Sequence, residues 1–175
     1  MPQRALEVRD AVGAAARARL RPATPDDVAA LVPLINAAYD FTEHHVFPGS
    51  RRTDRHDITK LLDRVVVAEV DGRIAACIHI DLSAEPPHYG LLAVDVSLHR
   101  SGLGSLLAGH AEAASRDAGA SAIRIETVKQ AGLLPFYERR GYRIIAETDG
   151  QAWNGGADWG AAIPWQMVDM EKELR

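Results

Sequence analysis

Residues 64–82 read RVVVAEVDGRIAACIHIDL, and no other stretch of the chain limits its fold so tightly. Two runs rich in β-branched residues flank Asp71-Gly72, a dipeptide that accepts the positive φ angles of a two-residue hairpin turn. In the second run Ile74, Ala76, Ile78, Ile80 and Leu82 share one face, and Ala75, Cys77, His79 and Asp81 share the other. An antiparallel hairpin is therefore fixed near the middle of the chain. The other elements must join a sheet that contains it.

The remaining pattern supplies them. RLRPATPDD (19–27) predicts a short strand and then a helix start, with Thr24 as N-cap, Pro25 at the first helical position and Asp27 closing a capping box. Val28, Leu31, Ile35 and Ala38 fall on one helical face, and Pro33 predicts a kink. The polar, aromatic run 40–57 predicts a loop, followed by a short helix near 57–63. YGLLAVDV reads as a third strand, and the helix formers after Gly104 run to a C-cap at Gly119. AIRIETV (122–128) is a strand, GLLPFYERRGY a helix stopped by Gly141, and RIIAET a strand. DGQAWNGGADWGA predicts a long loop, and IPWQMVDMEKEL a last strand with alternating Trp165, Met167 and Asp169. The order is mixed rather than strictly alternating.

At 175 residues the chain suits one domain, expected over 19–175, with 1–18 a tail or loosely attached helix. A net charge of -4 argues against a general nucleic-acid or anionic-membrane binder. One cysteine, Cys77, rules out an internal disulfide and fits a reducing cytoplasm. No apolar run reaches the roughly 18 residues of a membrane span, and the N-terminus lacks the apolar core of a secretion signal. The seven histidines show no metal-knuckle or helix-facing spacing, so no metal is expected.

LHRSGLGSLL (98–107) places Gly102 and Gly104 two apart, between an apolar strand and a helix. Glycines there let the free N–H groups of a helix N-terminus approach an anion, so the pattern reads as a phosphate or pyrophosphate cradle. A P-loop fails, because Gly104 is followed by Ser105 and Leu106. A dinucleotide fingerprint is weak, because Leu107 stands where a small residue is needed. A tight strand-to-helix turn without any ligand also fits the spacing.

LLAVDVSLHRSGLGSLL resembles the central motif of the GNAT superfamily of acyl-CoA-dependent N-acetyltransferases, and LLPFYERRGYRI resembles the family's second motif. With LRPATPDDVAAL and the final strand, the resemblance spans about 19–173. It implies a twisted, mixed and mostly antiparallel sheet with helices on both faces, in which two neighbouring parallel strands splay to admit a thioester. It also implies acetyl-CoA as cosubstrate and direct transfer of an acetyl group to a primary amine of a small molecule, protein or peptide. A non-catalytic acyl-CoA-binding or regulatory module is the alternative, and members of the family often dimerise. His99 stands where the family usually has Gln or Arg, and Gln130 where it often has Asn.

The same resemblance assigns roles. Leu92, Ala93 and Val94 would offer backbone to the pantetheine arm. His99, Arg100, Ser101, Gly102, Leu103, Gly104 and Ser105 would form the cradle, and Gln130 would reach the pantetheine. Tyr137 would point its hydroxyl at the thioester sulfur, whose thiolate has a parent pKa near roughly 8.5; filling space beside Phe136 is the rival role. A lysine-like amine near about pKa 10.4 is neutral in only about one molecule in 2,500 at pH 7, whereas an α-amine near roughly 8 needs far less help. His79, Asp81, His88 and Glu126 are the candidate bases, of which His79 and Glu126 enter the expected catalytic set with Tyr137. FTEHHVF and WNGGADW are the candidate acceptor loops, with Trp153 and Trp159 either capping a pocket or covering a sheet end. Cys77, mid-strand, reads as a small buried apolar residue.

Overall fold

The computed structural model describes residues 13–175; the rest of the expected N-terminal tail lies outside the described residues. Residues 13–17 are helical and are labelled α1. Then follow β1 (Arg19–Pro22), α2 (Val28–Glu43), α3 (Arg55–Leu61), β2 (Val65–Val70), β3 (Arg73–Asp81) and β4 (His88–Val94). The chain continues as α4 (Leu103–Asp117), β5 (Ala122–Val128), α5 (Leu134–Arg139), β6 (Arg143–Asp149), α6 (Gly150–Trp153) and β7 (Gln166–Glu173). The seven strands make one mixed sheet in the order β1-β2-β3-β4-β5-β7-β6. β1 with β2, β2 with β3, β5 with β7 and β6 with β7 run antiparallel, while β4 and β5 run parallel, His88 opposite Arg124.

The hairpin forms as its sequence predicts, with Asp71 at φ 51° and Gly72 at φ 78°. Thr24 and Asp27 make the start of α2: the Asp27 carboxylate accepts the Thr24 N–H at 2.7 Å and its hydroxyl at 3.0 Å. Arg21 grips the same carboxylate at 2.7 and 3.0 Å and reaches Glu69 at 2.8 Å, which ties β1, β2 and the helix start together. The chain divides into two compact units. One comprises, of the described residues, 13–38, Arg52–Ile80 and Leu91–Ala111, and its core holds Leu31, Ile35, Ile58, Val67, Ile78, Leu103 and Leu107. The other comprises Tyr39–Arg51, Asp81–Gly90 and Glu112–Arg175, and buries Val46, Tyr89, Ile123, Ile125, Tyr137, Trp165, Val168 and Met170.

Four expectations are corrected. α2 runs through Pro33 and on to Glu43, so 40–43 are helical rather than loop; the Asp40–His44 pair at 3.0 Å, one turn apart, supports this last turn. α3 starts at Arg55 rather than 57, because Asp54 caps it by accepting the Asp57 N–H at 2.9 Å. Gly104 lies inside the first turn of α4 rather than before it. Residues 150–153 form a helical turn within the supposed long loop, capped by Asp149, which accepts the N–H groups of Gln151 and Ala152.

Candidate active site

The glycine-rich turn belongs to the first unit. β4 is distorted on its way there, since Leu91 has φ 48°, a left-handed conformation that costs a non-glycine residue about 1 to 2 kcal/mol. The Leu91 carbonyl accepts the Cys77 thiol at 3.7 Å. Leu92, Ala93 and Val94 close the strand, with Ala93 buried. Asp95 then turns the chain: its N–H donates to the Ala75 carbonyl, and its carboxylate accepts the Ser97 N–H at 2.8 Å and hydroxyl at 2.6 Å.

Two left-handed residues follow, Arg100 at φ 64° and Gly102 at φ 86°. The Gly102 carbonyl accepts the first intrahelical bond, from the Leu106 N–H at 2.9 Å, which makes Gly102 the N-cap of α4. The N–H groups that start such a helix have no acceptor within it. Ser101 and Leu103 are buried and fix the turn from beneath, while Arg100, Gly102 and Ser105 are exposed. The Leu103 N–H is turned to the Ser101 hydroxyl at 3.5 Å; beyond it the turn offers the positive end of a helix dipole and one guanidinium. Burial holds the His99 imidazole below its ordinary value, against a smaller upward pull from Asp95.

The same unit holds His79, buried on β3 opposite Val65. Cys77 beside it is buried too, and burial pushes its thiol up to about 12, so it stays protonated and inert as expected.

Tyr137 belongs to the second unit. It is 6% exposed and packs edge-on against Phe136 at 5.1 Å and Tyr142 at 5.8 Å, while Tyr142 meets Tyr89 at 6.2 Å. Burial raises its phenol well above the ordinary value, and Tyr89, Tyr39 and Glu43 push it further the same way. Tyr137 therefore keeps its proton across the physiological range and stands as a hydrogen-bond donor. Tyr39, which sequence reading missed, and Glu43, which it placed in the candidate acceptor loop FTEHHVF, are one turn apart on the last stretch of α2. The i, i+4 spacing would have shown a shared face had 40–43 been read as helix.

Of the candidate bases, Asp81 is occupied by a turn, accepting the Ser83 N–H at 2.9 Å and hydroxyl at 2.6 Å. His88 is exposed at the first position of β4. Glu126 is exposed on β5 and sits opposite Asp169 of β7, so two carboxylates face each other across the strands. The Gln130 side-chain oxygen accepts the Gln166 N–H at 3.1 Å, which leaves its NH2 as the free donor group, and its backbone carbonyl accepts His45 Nε2 at 2.8 Å.

The two candidate acceptor loops meet. Phe47 touches Trp165 at 5.1 Å and Trp159 at 6.2 Å, Trp159 stacks on Trp165 at 5.7 Å, and the Ala162 N–H donates to the Val46 carbonyl at 2.8 Å. Trp165 and Phe47 are buried as a small core, and Trp159 remains 39% exposed above them. Sequence reading also missed the Glu112 cluster. This buried carboxylate accepts from Arg140 at 2.9 Å, Lys172 at 2.7 Å and Tyr142 at 3.3 Å. Among the described residues no group of three potential ligands is arranged to hold a metal, and no helix is long and apolar enough to cross a membrane.

A family model of the acetyltransferase (GNAT) domain matches residues 45–155, and the chain belongs to that family. Solved structures agree on the fold. PaiA N-acetyltransferase from Thermoplasma acidophilum, in complex with coenzyme A, is 14% identical, with 89% of this chain and 98% of that one covered at a TM-score of 0.72. An N-acetyltransferase from Staphylococcus aureus is 15% identical, with 90% and 99% covered at 0.70. N-acetylglutamate synthase from Neisseria gonorrhoeae, complexed with coenzyme A and N-acetyl-glutamate, is 16% identical at 0.69; the match covers 90% of this chain but only 35% of that longer one. A search of curated proteins finds no match.

Proposed function

We propose that this chain transfers an acetyl group from acetyl-CoA directly to a primary amine of a small molecule or peptide. The turn into α4 carries the reading, because left-handed Arg100 and Gly102 deliver exposed backbone donors to a helix start with no side chain at Gly104. His99, Arg100, Ser101, Gly102, Leu103, Gly104 and Ser105 cradle the pyrophosphate. The backbone of Leu92, Ala93 and Val94 pairs with the pantetheine amides, and the Gln130 NH2 donates to the same arm. The amine nitrogen attacks the thioester carbon, the carbon–sulfur bond breaks, and the Tyr137 hydroxyl donates a hydrogen bond to the leaving thiolate, which takes its proton from solvent. Glu126 or His79 receives the proton that the amine loses. The loops around Phe47 and Trp159 select the acceptor.

The test is the melting midpoint with acetyl-CoA at about 100 times its dissociation constant, which stabilises the fold by about 2.7 kcal/mol. That is a rise of roughly 5 to 10 °C for a chain of this size. Gly104→Val, whose side chain crowds the cradle, abolishes most of the shift while leaving the free protein's midpoint within about 3 °C. An unshifted wild-type midpoint would reduce HRSGLGS to a turn and remove the proposal.

A further inference from the structure

We infer that the segment ahead of β1 forms a wall of the cofactor turn, with Ala15 as the positioning residue that stands against the anion site. This rests on the reading of the turn as a pyrophosphate cradle. A Cβ built on Gly102 would lie 3.3 Å from the Ala15 Cβ, closer than ordinary contact, and would meet nothing else within 4 Å. α1 therefore approaches the turn at the residue whose left-handed backbone shapes it. The approach is anchored on both sides. Ala14 is fully buried, and Arg17 pairs with Asp71 of the hairpin turn at 3.3 Å. Ala15 is half-buried and Gly102 exposed, so the segment lines the turn without sealing it. The Ala15 methyl occupies the space that a side chain at position 102 would need.

Charge distinguishes a wall of an anion site from plain packing. A charge at position 15 acts on a bound pyrophosphate across a few ångströms, with a sign, and salt screens it. A packing defect is blind to sign. The experiment measures coenzyme A affinity by calorimetry for the full-length protein and for Ala15→Asp, Ala15→Lys and Ala15→Gln. Ala16→Asp, an exposed neighbour, serves as control. Titrations run at low salt and at about 0.5 M, with the melting midpoint of each free protein recorded.

Ala15→Asp weakens binding by about fivefold or more at low salt, and Ala15→Lys binds at least as tightly as Ala15→Gln. The gap between Asp and Lys narrows at high salt, and Ala16→Asp weakens binding less than Ala15→Asp does. Equal losses for Asp, Lys and Gln, or wild-type affinity in all three, overturn the inference alone. A wild-type protein that binds no coenzyme A overturns the proposed function and this inference together.

Discussion

Tyr137 is where packing and the proposed chemistry can be separated by experiment. Its ring fills space against Phe136 and Tyr142, and that burial raises the pKa of the phenol. A phenol so held is fully protonated wherever an amine acceptor is partly neutral, which is the state a leaving thiolate needs from its donor. Tyr137→Phe keeps the ring and removes the donor. General acid–base groups contribute about 10²- to 10⁴-fold, so kcat falls by at least about 100-fold while KM for acetyl-CoA changes by less than about twofold. The melting midpoint moves by a few degrees at most. Unchanged kcat in steady-state assays would leave Tyr137 with packing alone.

At the level of elements, the hairpin, the capping box and the strand-to-helix turn were legible because each depends on residues adjacent in sequence. Asp71-Gly72 and Thr24–Asp27 carry their own geometry with them. The last turn of α2 was not legible, since Asp40 to Glu43 look like a polar loop until packing extends the helix over them. The contacts of Tyr39 and Glu112 were hidden for a different reason: their partners lie far along the chain. Gly150 is a third such case. It reads as a turn glycine, yet it lies against the Trp165 indole, with its N–H donating to the Trp165 carbonyl at 2.9 Å, and a side chain built there would overlap the ring. Gly150→Ala therefore overpacks the aromatic core that joins the two loops and costs about 1 to 3 kcal/mol in urea denaturation. A variant as stable as wild type would show that Trp165 swings aside freely.

For the whole molecule, the shifted groups set a pH window for folding, and the sign of each can be worked out. Arg21 holds Asp27 down at about 2 from 3.8, so its contribution is present above pH 4 and is lost as pH falls towards 2. His99, held below 6.5 by burial, acts in the same direction: protonating it favours the unfolded chain, so acid weakens the fold. Cys77 and Tyr137 oppose unfolding from the other side. Both are raised by burial, Cys77 from 9.0 to about 12, so their contribution is complete below the unfolded values and is lost as pH rises above them. Stability is therefore flat between about pH 7 and 8.5 and falls on both sides. The alkaline limb begins with Cys77, because its unfolded value of 9.0 is lower than the 10.0 of tyrosine. Between pH 8 and pH 10, ionisation of this thiol in the unfolded chain alone removes about 1.4 kcal/mol. Cys77→Ala lacks that ionisation. It starts about 1 kcal/mol less stable at pH 8, where a small cavity is its only defect, and draws level with wild type by pH 10. Urea midpoints at the two pH values decide the matter. Parallel losses in both proteins would mean that the thiol ionises as easily folded as unfolded, and that Cys77 is less shielded than its place on β3 requires.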